Sequence, residues 1–208
     1  MIYLVSNTPN SQVKNLKVCQ IEFFKFNVDL GEFEALIITS KNAIKAILNN
    51  KIKLNLDLDV FAIGEASAKA CKEAGFKNIY IAKNSHGIEF AQEILPFLKD
   101  KKTLFIKAKE TVSDIAGKLN DINLTSIIGY ENRYLNLEPN LAPPPHSTLI
   151  FTSPSNVKGF IKNFGWDKSY KAVSIGNATY EALKPYSNSK KSKKQDINEC
   201  IKLALSIV

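Results

Sequence analysis

The sequence predicts an α/β protein of two related lobes, each a parallel sheet flanked by helices, joined by a two-stranded linker, with one lobe discontinuous in sequence. Three observations carry this. Short continuous apolar runs alternate with segments that are apolar at helical spacing, the mark of parallel strands buried on both faces. The alternation occurs twice, and the two series match each other in residue type and order. The second series is short of strands unless the run at the N-terminus joins it.

In the first series Leu36-Ile37-Ile38-Thr39 reads as a buried strand, followed by Ile44, Ile47 and Leu48 at helical spacing. Val60-Phe61-Ala62-Ile63 is the next strand, and residues 66–74 form a helix stopped by Gly75. Ile79-Tyr80-Ile81-Ala82 is a strand; Ile88, Ala91, Leu95 and Leu98 mark one helix face, which Pro96 is expected to cut short. Leu104-Phe105-Ile106-Lys107 is a strand, and Val112, Ile115 and Leu119 make a helical stripe with Thr111 and Asp114 spaced as a capping box. Ser126-Ile127-Ile128-Gly129 closes the series.

A proline-rich break over residues 138–147 separates the second series. Leu149-Ile150-Phe151-Thr152 is a strand, and Val157, Phe160, Ile161 and Phe164 form a helix face. Ala172-Val173-Ser174-Ile175 is a strand, residues 178–184 a short helix, and Asp196 caps a last helix carrying Ile197, Cys200, Ile201 and Ala204.

The two series superimpose. Leu36-Ile37-Ile38-Thr39-Ser40 returns 113 residues later as Leu149-Ile150-Phe151-Thr152-Ser153, and Ile44, Lys45 and Leu48 return as Val157, Lys158 and Ile161. After a slip of one residue, Ile63-Gly64, Ala66 and Ser67 match Ile175-Gly176, Ala178 and Thr179. The second series offers two clear strands, whereas the first already has five, so Ile2-Tyr3-Leu4-Val5 is assigned to the second lobe. The expected organisation is a terminal lobe of residues 1–20 and 138–208, an inserted central lobe of residues 27–129, and linkers at 21–26 and 130–137 that pair as a ribbon.

Composition narrows the function. The 208 residues are 45% hydrophobic and 10% aromatic, so a folded core is expected and disorder is not. Cys19, Cys71 and Cys200 are odd in number and scattered, which excludes a disulfide framework and a thiolate zinc site and suits a reducing cytoplasm. His86 and His146 are too few for a histidine metal centre; His86 reads as a neighbour of a helix cap and His146 as loop. No apolar run is long enough to span a membrane, and Ile2 to Val5 reads as strand, not signal peptide. The net charge of +8 owes half its size to Lys190, Lys191, Lys193 and Lys194, and the single arginine is Arg133. Nucleic-acid readers lean on arginine, so this balance speaks against them, while the mild positive field is compatible with an anionic small substrate; the lysine run reads as a solvated loop.

Chemistry concentrates at four strand-to-helix turns. Thr39-Ser40-Lys41-Asn42 and Gly64-Glu65-Ala66-Ser67 lie in one lobe, Thr152-Ser153-Pro154-Ser155 and Gly176-Asn177-Ala178-Thr179 in the other. Unpaired N–H groups and the helix dipole make such turns carboxylate or phosphate sites. The same residues equally serve as plain helix caps. Neither glycine belongs to a dinucleotide or P-loop fingerprint, and no nucleophile elbow or metalloprotease motif occurs. Tyr130 stands where the central lobe ends, with Arg133 behind it. Its phenol could donate into the space between lobes or simply pack at the boundary, and Tyr134 competes for the same role. A two-lobed small-anion binding module without turnover remains the alternative to an enzyme.

The runs Leu36-Ile37-Ile38-Thr39-Ser40-Lys41-Asn42-Ala43, Phe61-Ala62-Ile63-Gly64, Leu149-Ile150-Phe151-Thr152-Ser153-Pro154-Ser155 and Ser174-Ile175-Gly176-Asn177-Ala178-Thr179, with Tyr130 after Ile127-Ile128, resemble the uroporphyrinogen-III synthase family over nearly the whole chain. The resemblance implies a cofactor-free, metal-free lyase of tetrapyrrole and heme biosynthesis, cytoplasmic and monomeric, in transient contact with the upstream deaminase. It implies that linear hydroxymethylbilane is dehydrated and cyclised with inversion of ring D, through an azafulvene and a spiro intermediate, with Tyr130 assisting departure of the hydroxyl. Substrate carboxylates would meet backbone amides in an interlobe cleft, at Thr39, Ser40, Asn42, Gly64, Ala66, Ser67, Ser85, Gly87, Ser153, Ser155, Gly176, Asn177 and Thr179. Five departures are visible: the segment after Val5 is short and residues 7–16 make a poor helix, the family's usual arginine and proline near the first linker are absent, Ser67 stands where the family commonly has threonine, the Lys107-Ala108 turn lacks its frequent glycine, and residues 186–194 are polar where it has a strand.

Overall fold

A computed structural model describes residues 1–84, 86–111 and 113–207. The chain opens with β1 (Ile2–Val5), β2 (Lys14–Leu16) and β3 (Cys19–Phe23). It continues through β4 (Ala35–Ile38), α1 (Lys41–Asn49), β5 (Asp59–Ala62), α2 (Glu65–Glu73), β6 (Asn78–Ile81), α3 (Gly87–Leu98), β7 (Thr103–Ala108), α4 (Ile115–Lys118) and β8 (Leu124–Tyr134). It ends with β9 (Thr148–Phe151), α5 (Pro154–Phe164), β10 (Lys171–Ser174), α6 (Asn177–Leu183), β11 (Lys190–Lys191) and α7 (Ile197–Leu205). By its contacts the chain divides into one unit of residues 1–20 and 133–208 and another of residues 21–132.

The second unit is built on a six-stranded sheet in the order β3-β8-β7-β4-β5-β6. The strands from β8 to β6 are mutually parallel. Alternation along β4 sends Leu36 and Ile38 to one face, with Ile44 and Ile47 of α1 and Cys71 of α2. It sends Ala35 and Ile37 to the other, with Phe90, Ile94 and Leu98 of α3 and Ile115 of α4. Both faces are therefore dry, which is why the strands read as unbroken apolar runs. Each fully buried leucine, isoleucine or phenylalanine contributes about 1.5–3 kcal/mol of transfer free energy.

The discontinuous unit repeats this plan. Its five strands run β11-β10-β9-β1-β2, every neighbouring pair parallel. Phe151 packs with Val157 and Phe160 of α5 and Leu183 of α6, while Ile150 and Val173 pack with Cys200, Ile201 and Ala204 of α7 on the other face. Thus β4-α1-β5-α2-β6-α3 corresponds to β9-α5-β10-α6-β11-α7, and β7 and β8 correspond to β1 and β2. In the discontinuous unit the last two strands of the plan are supplied by the beginning of the chain.

Four local expectations differ from the structure. Pro96 does not end α3 early; the helix runs on to Leu98, whose side chain is fully buried in the core. Thr111 does not cap the following helix. Asp114 does, accepting from the Gly117 N–H at 3.0 Å, and α4 is a single turn; Val112, expected on its stripe, lies outside the described residues. Residues 7–16 contain β2, not a poor helix: Asn10 and Asn15 side chains bind neighbouring backbone and compete with helix formation before the chain pairs with β1. The lysine run contains β11, whose Lys190 and Lys191 lie opposite Val173 and Ser174 of β10.

β3 and β8 are neighbours in the six-stranded sheet. The bonds from Phe24 N–H to the Gly129 carbonyl (3.0 Å) and from Leu135 N–H to the Val18 carbonyl (3.0 Å) run in opposite sense along the two segments, so they are antiparallel. The chain passes from one unit to the other within these two strands.

Candidate functional site

In each unit the chain winds one way from its first central strand and returns to wind the other way. The reversal falls between β4 and β7 in the inserted unit and between β9 and β1 in the discontinuous one. Open parallel sheets bind ligands outside the carboxyl ends of their strands at such a reversal. The expected site residues that the structure describes lie on these edges.

β4 delivers Ser40 in extended conformation as the N-cap of α1, its hydroxyl accepting from the Asn42 N–H at 3.2 Å. β9 delivers Ser153 in the same role on α5, accepting from the Asn156 N–H at 3.2 Å. Gly64 and Gly176 cap α2 and α6 with no side-chain bond to the helix. The serine-cap, glycine-cap sequence is thus duplicated in space as in the sequence. Thr39, Asn42, Ser155 and Gly87 are half-buried, and Ala66 and Asn177 exposed. Ser67 and Thr179 have buried side chains, and the Ser67 N–H is bonded to the Gly64 carbonyl. Ser85 lies outside the described residues. Gly87, first residue of α3, sits so close to Ser113 that a Cβ would come within 2.5 Å of that side chain. His86 precedes it and makes no side-chain cap.

Tyr130 is 6% exposed and packs in the core on the α1 side of its sheet. Its phenol meets the Ser40 side chain. Burial raises the Tyr130 pKa, and the Ser40 hydroxyl opposes this in part by donating to the phenol oxygen. The phenol therefore stays protonated near neutrality, with its own proton available to donate. Tyr134 belongs to the other unit, where its ring lies against Gly159 and within 5.8 Å of the Lys162 ammonium. Tyr130 touches Ser40, a helix-start residue of the inserted unit.

The discontinuous unit carries a polar chain at the corresponding edge that the sequence does not announce. The Cys19 thiol lies 3.1 Å from Asn156 Oδ1, Asn156 Nδ2 donates to Thr152 Oγ1 at 3.0 Å, and Thr152 donates to Ser6 Oγ at 3.0 Å. Ser6 Oγ also accepts from the Thr8 N–H at 3.0 Å. Counting residues along the chain from matched strand pairs identifies the counterpart. Leu104 pairs with Thr125 as Tyr3 pairs with Lys14, and counting on from these pairs brings Tyr130 and Cys19 to the same place. Packing agrees: Gly129 lies against Ala46 of α1, and Val18 against Gly159 of α5. So a phenol touching the α1 cap in one unit corresponds to a thiol touching the first turn of α5 in the other. The one advance sign was Asn156, a polar residue beside the apolar face of its helix.

Two further features shape the edges. The Glu93 carboxylate accepts from Tyr80 Oη (2.8 Å) and from the N–H groups of Lys83 (2.9 Å) and Asn84 (3.4 Å), fastening the turn before α3. Lys191, at the carboxyl end of β11, places Nζ 3.3 Å from Asn177 Oδ1 at the start of α6. Among the described residues, no cluster of histidine, cysteine, aspartate or glutamate could hold a metal ion, and no helix is long and apolar enough to cross a membrane.

Two doubly wound parallel units, one inserted into the other through paired strands, with duplicated helix starts and a buried tyrosine on one of the connecting strands, define a two-domain, doubly wound α/β protein. The sequence model of the family described as uroporphyrinogen-III synthase HemD matches residues 19–201, and this chain belongs to that family. The uroporphyrinogen-III synthetase of Helicobacter pylori 26695 is 30% identical, with 100% of this chain and 99% of that one covered and a TM-score of 0.82. A mutant uroporphyrinogen-III synthase of the extremely thermophilic bacterium Thermus thermophilus shares the fold at 13% identity, with 100% and 99% covered and a TM-score of 0.62. No curated protein matches significantly. The family is one of tetrapyrrole and heme biosynthesis, and its members are lyases.

Proposed function

We propose that the protein converts hydroxymethylbilane to uroporphyrinogen III and water. The bond between the terminal hydroxymethyl carbon and its oxygen breaks, the oxygen leaves with an added proton as water, and a new carbon–carbon bond closes the ring after inversion of ring D. The substrate carries an acetate and a propionate on every ring, and backbone amides at the carboxyl edges of the two sheets take these carboxylates. Thr39, Ser40, Asn42, Gly64, Ala66, Ser67 and Gly87 in one unit, and Ser153, Ser155, Gly176, Asn177 and Thr179 in the other, belong to these edges, and Ser85 is grouped with them from the sequence alone. Held there, the flexible chain closes at the hindered position instead of the one it reaches unaided, so orientation carries much of the catalysis.

The observation that carries this reading is the Tyr130 phenol against Ser40, at the edge where a family substrate is expected. A neutral phenol donates a hydrogen bond to the departing hydroxyl and stabilises the charge that develops on it. No cofactor enters the scheme. The same reading has a monomer receiving substrate in the cytoplasm from the upstream deaminase by transient contact, which sedimentation of the two proteins mixed and apart checks.

The test is incubation with freshly prepared hydroxymethylbilane, oxidation, and separation of the isomers. Uroporphyrin III is the expected product. Type I alone, matching the no-enzyme control, would refute the proposal, and tight binding of an unrelated carboxylate without turnover would then favour a small-anion binding module.

A further inference from the structure

The strand that carries Tyr130 is irregular at the residue before it. Lys107 of β7 lies opposite Ile128, but Ala108 lies opposite Tyr130, so Gly129 is an extra residue in β8. The consequence is directional. Ile127 and Tyr130 pack on the same core cluster although they are three residues apart. In a regular strand that spacing sends side chains to opposite faces. A bulge adds the missing residue and re-aims the next side chain. Without Gly129 in excess, Tyr130 would point away from Ser40.

The bulge is built to stay. A Cβ on Gly129 would lie 2.7 Å from Ile106 Cγ2 and 3.2 Å from the Ala46 Cβ, so glycine is what allows the close approach. The Gly129 carbonyl accepts from Phe24 N–H at 3.0 Å, and the Tyr130 carbonyl accepts from Lys109 N–H at 2.9 Å. The residues flanking Tyr130 on the two strands are also joined through their side chains: Lys109 Nζ lies 2.9 Å from Glu131 Oε2 and 6.0 Å from the centre of the Phe24 ring. Glu131 is the main cause that holds the Lys109 ammonium in its charged form, with smaller help from Glu110 and Glu22.

We propose that Lys109 and Glu131 are positioning residues, which lock the Gly129 bulge and so keep the Tyr130 phenol on Ser40. The assignment rests on the role given to Tyr130 above. The ion pair is partly exposed, so neutralising it leaves the core intact and the fold is expected to survive.

Lys109→Met and Glu131→Gln are each placed in the native chain and in the Tyr130→Phe chain. Each is expected to lower kcat about 5- to 20-fold in the native background with KM within about twofold, and to change kcat less than twofold in the Tyr130→Phe background. The charge-swapped pair Lys109→Glu with Glu131→Lys is expected to recover most of the loss. A loss of equal size in both backgrounds, a rise in KM, or no loss at all overturns the proposal. A second measurement is independent of turnover. The ultraviolet titration of the Tyr130 phenol, isolated by difference from the Tyr130→Phe protein, is expected to shift in Lys109→Met. If native enzyme yields no type III isomer, the functional reading falls while this titration still decides the positioning claim, an unmoved titration refuting it.

Discussion

The phenol of Tyr130 meets the side chain of Ser40, the residue that caps α1. The contact joins the end of the last parallel strand of the inserted unit to the start of its first helix. Ser40 accepts from the Asn42 N–H and donates to the phenol oxygen, so one hydroxyl both terminates the helix and orients the tyrosine. The phenol keeps its proton because burial raises its pKa above the ordinary value.

Tyr130→Phe removes that proton and little else. With the role proposed, kcat falls about 100-fold, within the range for loss of a general acid or a single oxyanion donor, and KM changes less than threefold. Stability falls by about 0.5–1.5 kcal/mol, the worth of one hydrogen bond. Steady-state kinetics with product separation, together with urea unfolding, measure the two effects. Unchanged kcat removes Tyr130 from the mechanism.

The polar chain in the discontinuous unit makes a separate prediction. Cys19 is 1% exposed and Asn156 is 3% exposed, and the two share a hydrogen bond of 3.1 Å. Asn156→Ala leaves a cavity and removes one hydrogen bond each from the Cys19 thiol and from Thr152, which keep their contacts to Asn7 and Ser6, and is expected to cost about 2–3 kcal/mol. Denaturant unfolding at matched m-values tests this, and a cost below about 1 kcal/mol shows the chain to be dispensable.

All three thiols should be inert in the native protein. Burial raises the pKa of Cys19 and of Cys200, and pushes Cys71 up to about 12. A buried thiol with little thiolate does not react. A disulfide reagent at mildly alkaline pH is expected to label none of them until denaturant is added. Rapid labelling of one would show that its segment opens locally.

Glu93 gives the molecule a pH-sensitive fastening. The N–H of Lys83 is the main cause that lowers its pKa, followed by Tyr80 and Asn84. A carboxylate with a depressed folded pKa adds stability above its unfolded value, about 4.3, and loses it as pH falls through the folded value. Hydrogen exchange at Lys83 and Asn84 should therefore accelerate, relative to the core, below about pH 4. In Glu93→Gln the two amides should already be less protected at neutral pH, with no acid step left. Persistence of the acid step in that variant would assign it elsewhere.

The parts of this architecture that could be read in the sequence are those written locally and written twice. Leu36 to Ser40 and Leu149 to Ser153 announce strand, turn and cap in adjacent residues, and the repetition excludes accident. β2 and β11 escaped because each is a short edge strand. They pair through backbone, while Lys14, Asn15, Lys190 and Lys191 remain exposed and show no apolar pattern. The bulge at Gly129 is a matter of register between β7 and β8, which no property of β8 alone expresses. The Cys19–Asn156 contact joins residues 137 apart in sequence and is set by the return of the chain to its first unit. Tyr130 could be singled out by position, but its partner Ser40 could not.

The duplication supplies its own control for the site. Ser40 and Ser153 cap equivalent helices with the same geometry, each accepting an N–H at 3.2 Å. Ser40→Ala and Ser153→Ala should each cost about 1 kcal/mol, seen as a drop of about 2–4 °C in Tm. Capping alone would make the two variants alike in every other respect. Ser40, however, also orients the phenol proposed to act, whereas Ser153 is bonded as the cap of α5. Ser40→Ala should therefore lower kcat about tenfold further than Ser153→Ala, in line with one lost hydrogen bond at the reacting group. It should also raise the pKa of the phenol, because the donor that favoured the charged form is gone. Equal kinetics in the two variants, at equal loss of Tm, would mean that the contact between Ser40 and Tyr130 is structural.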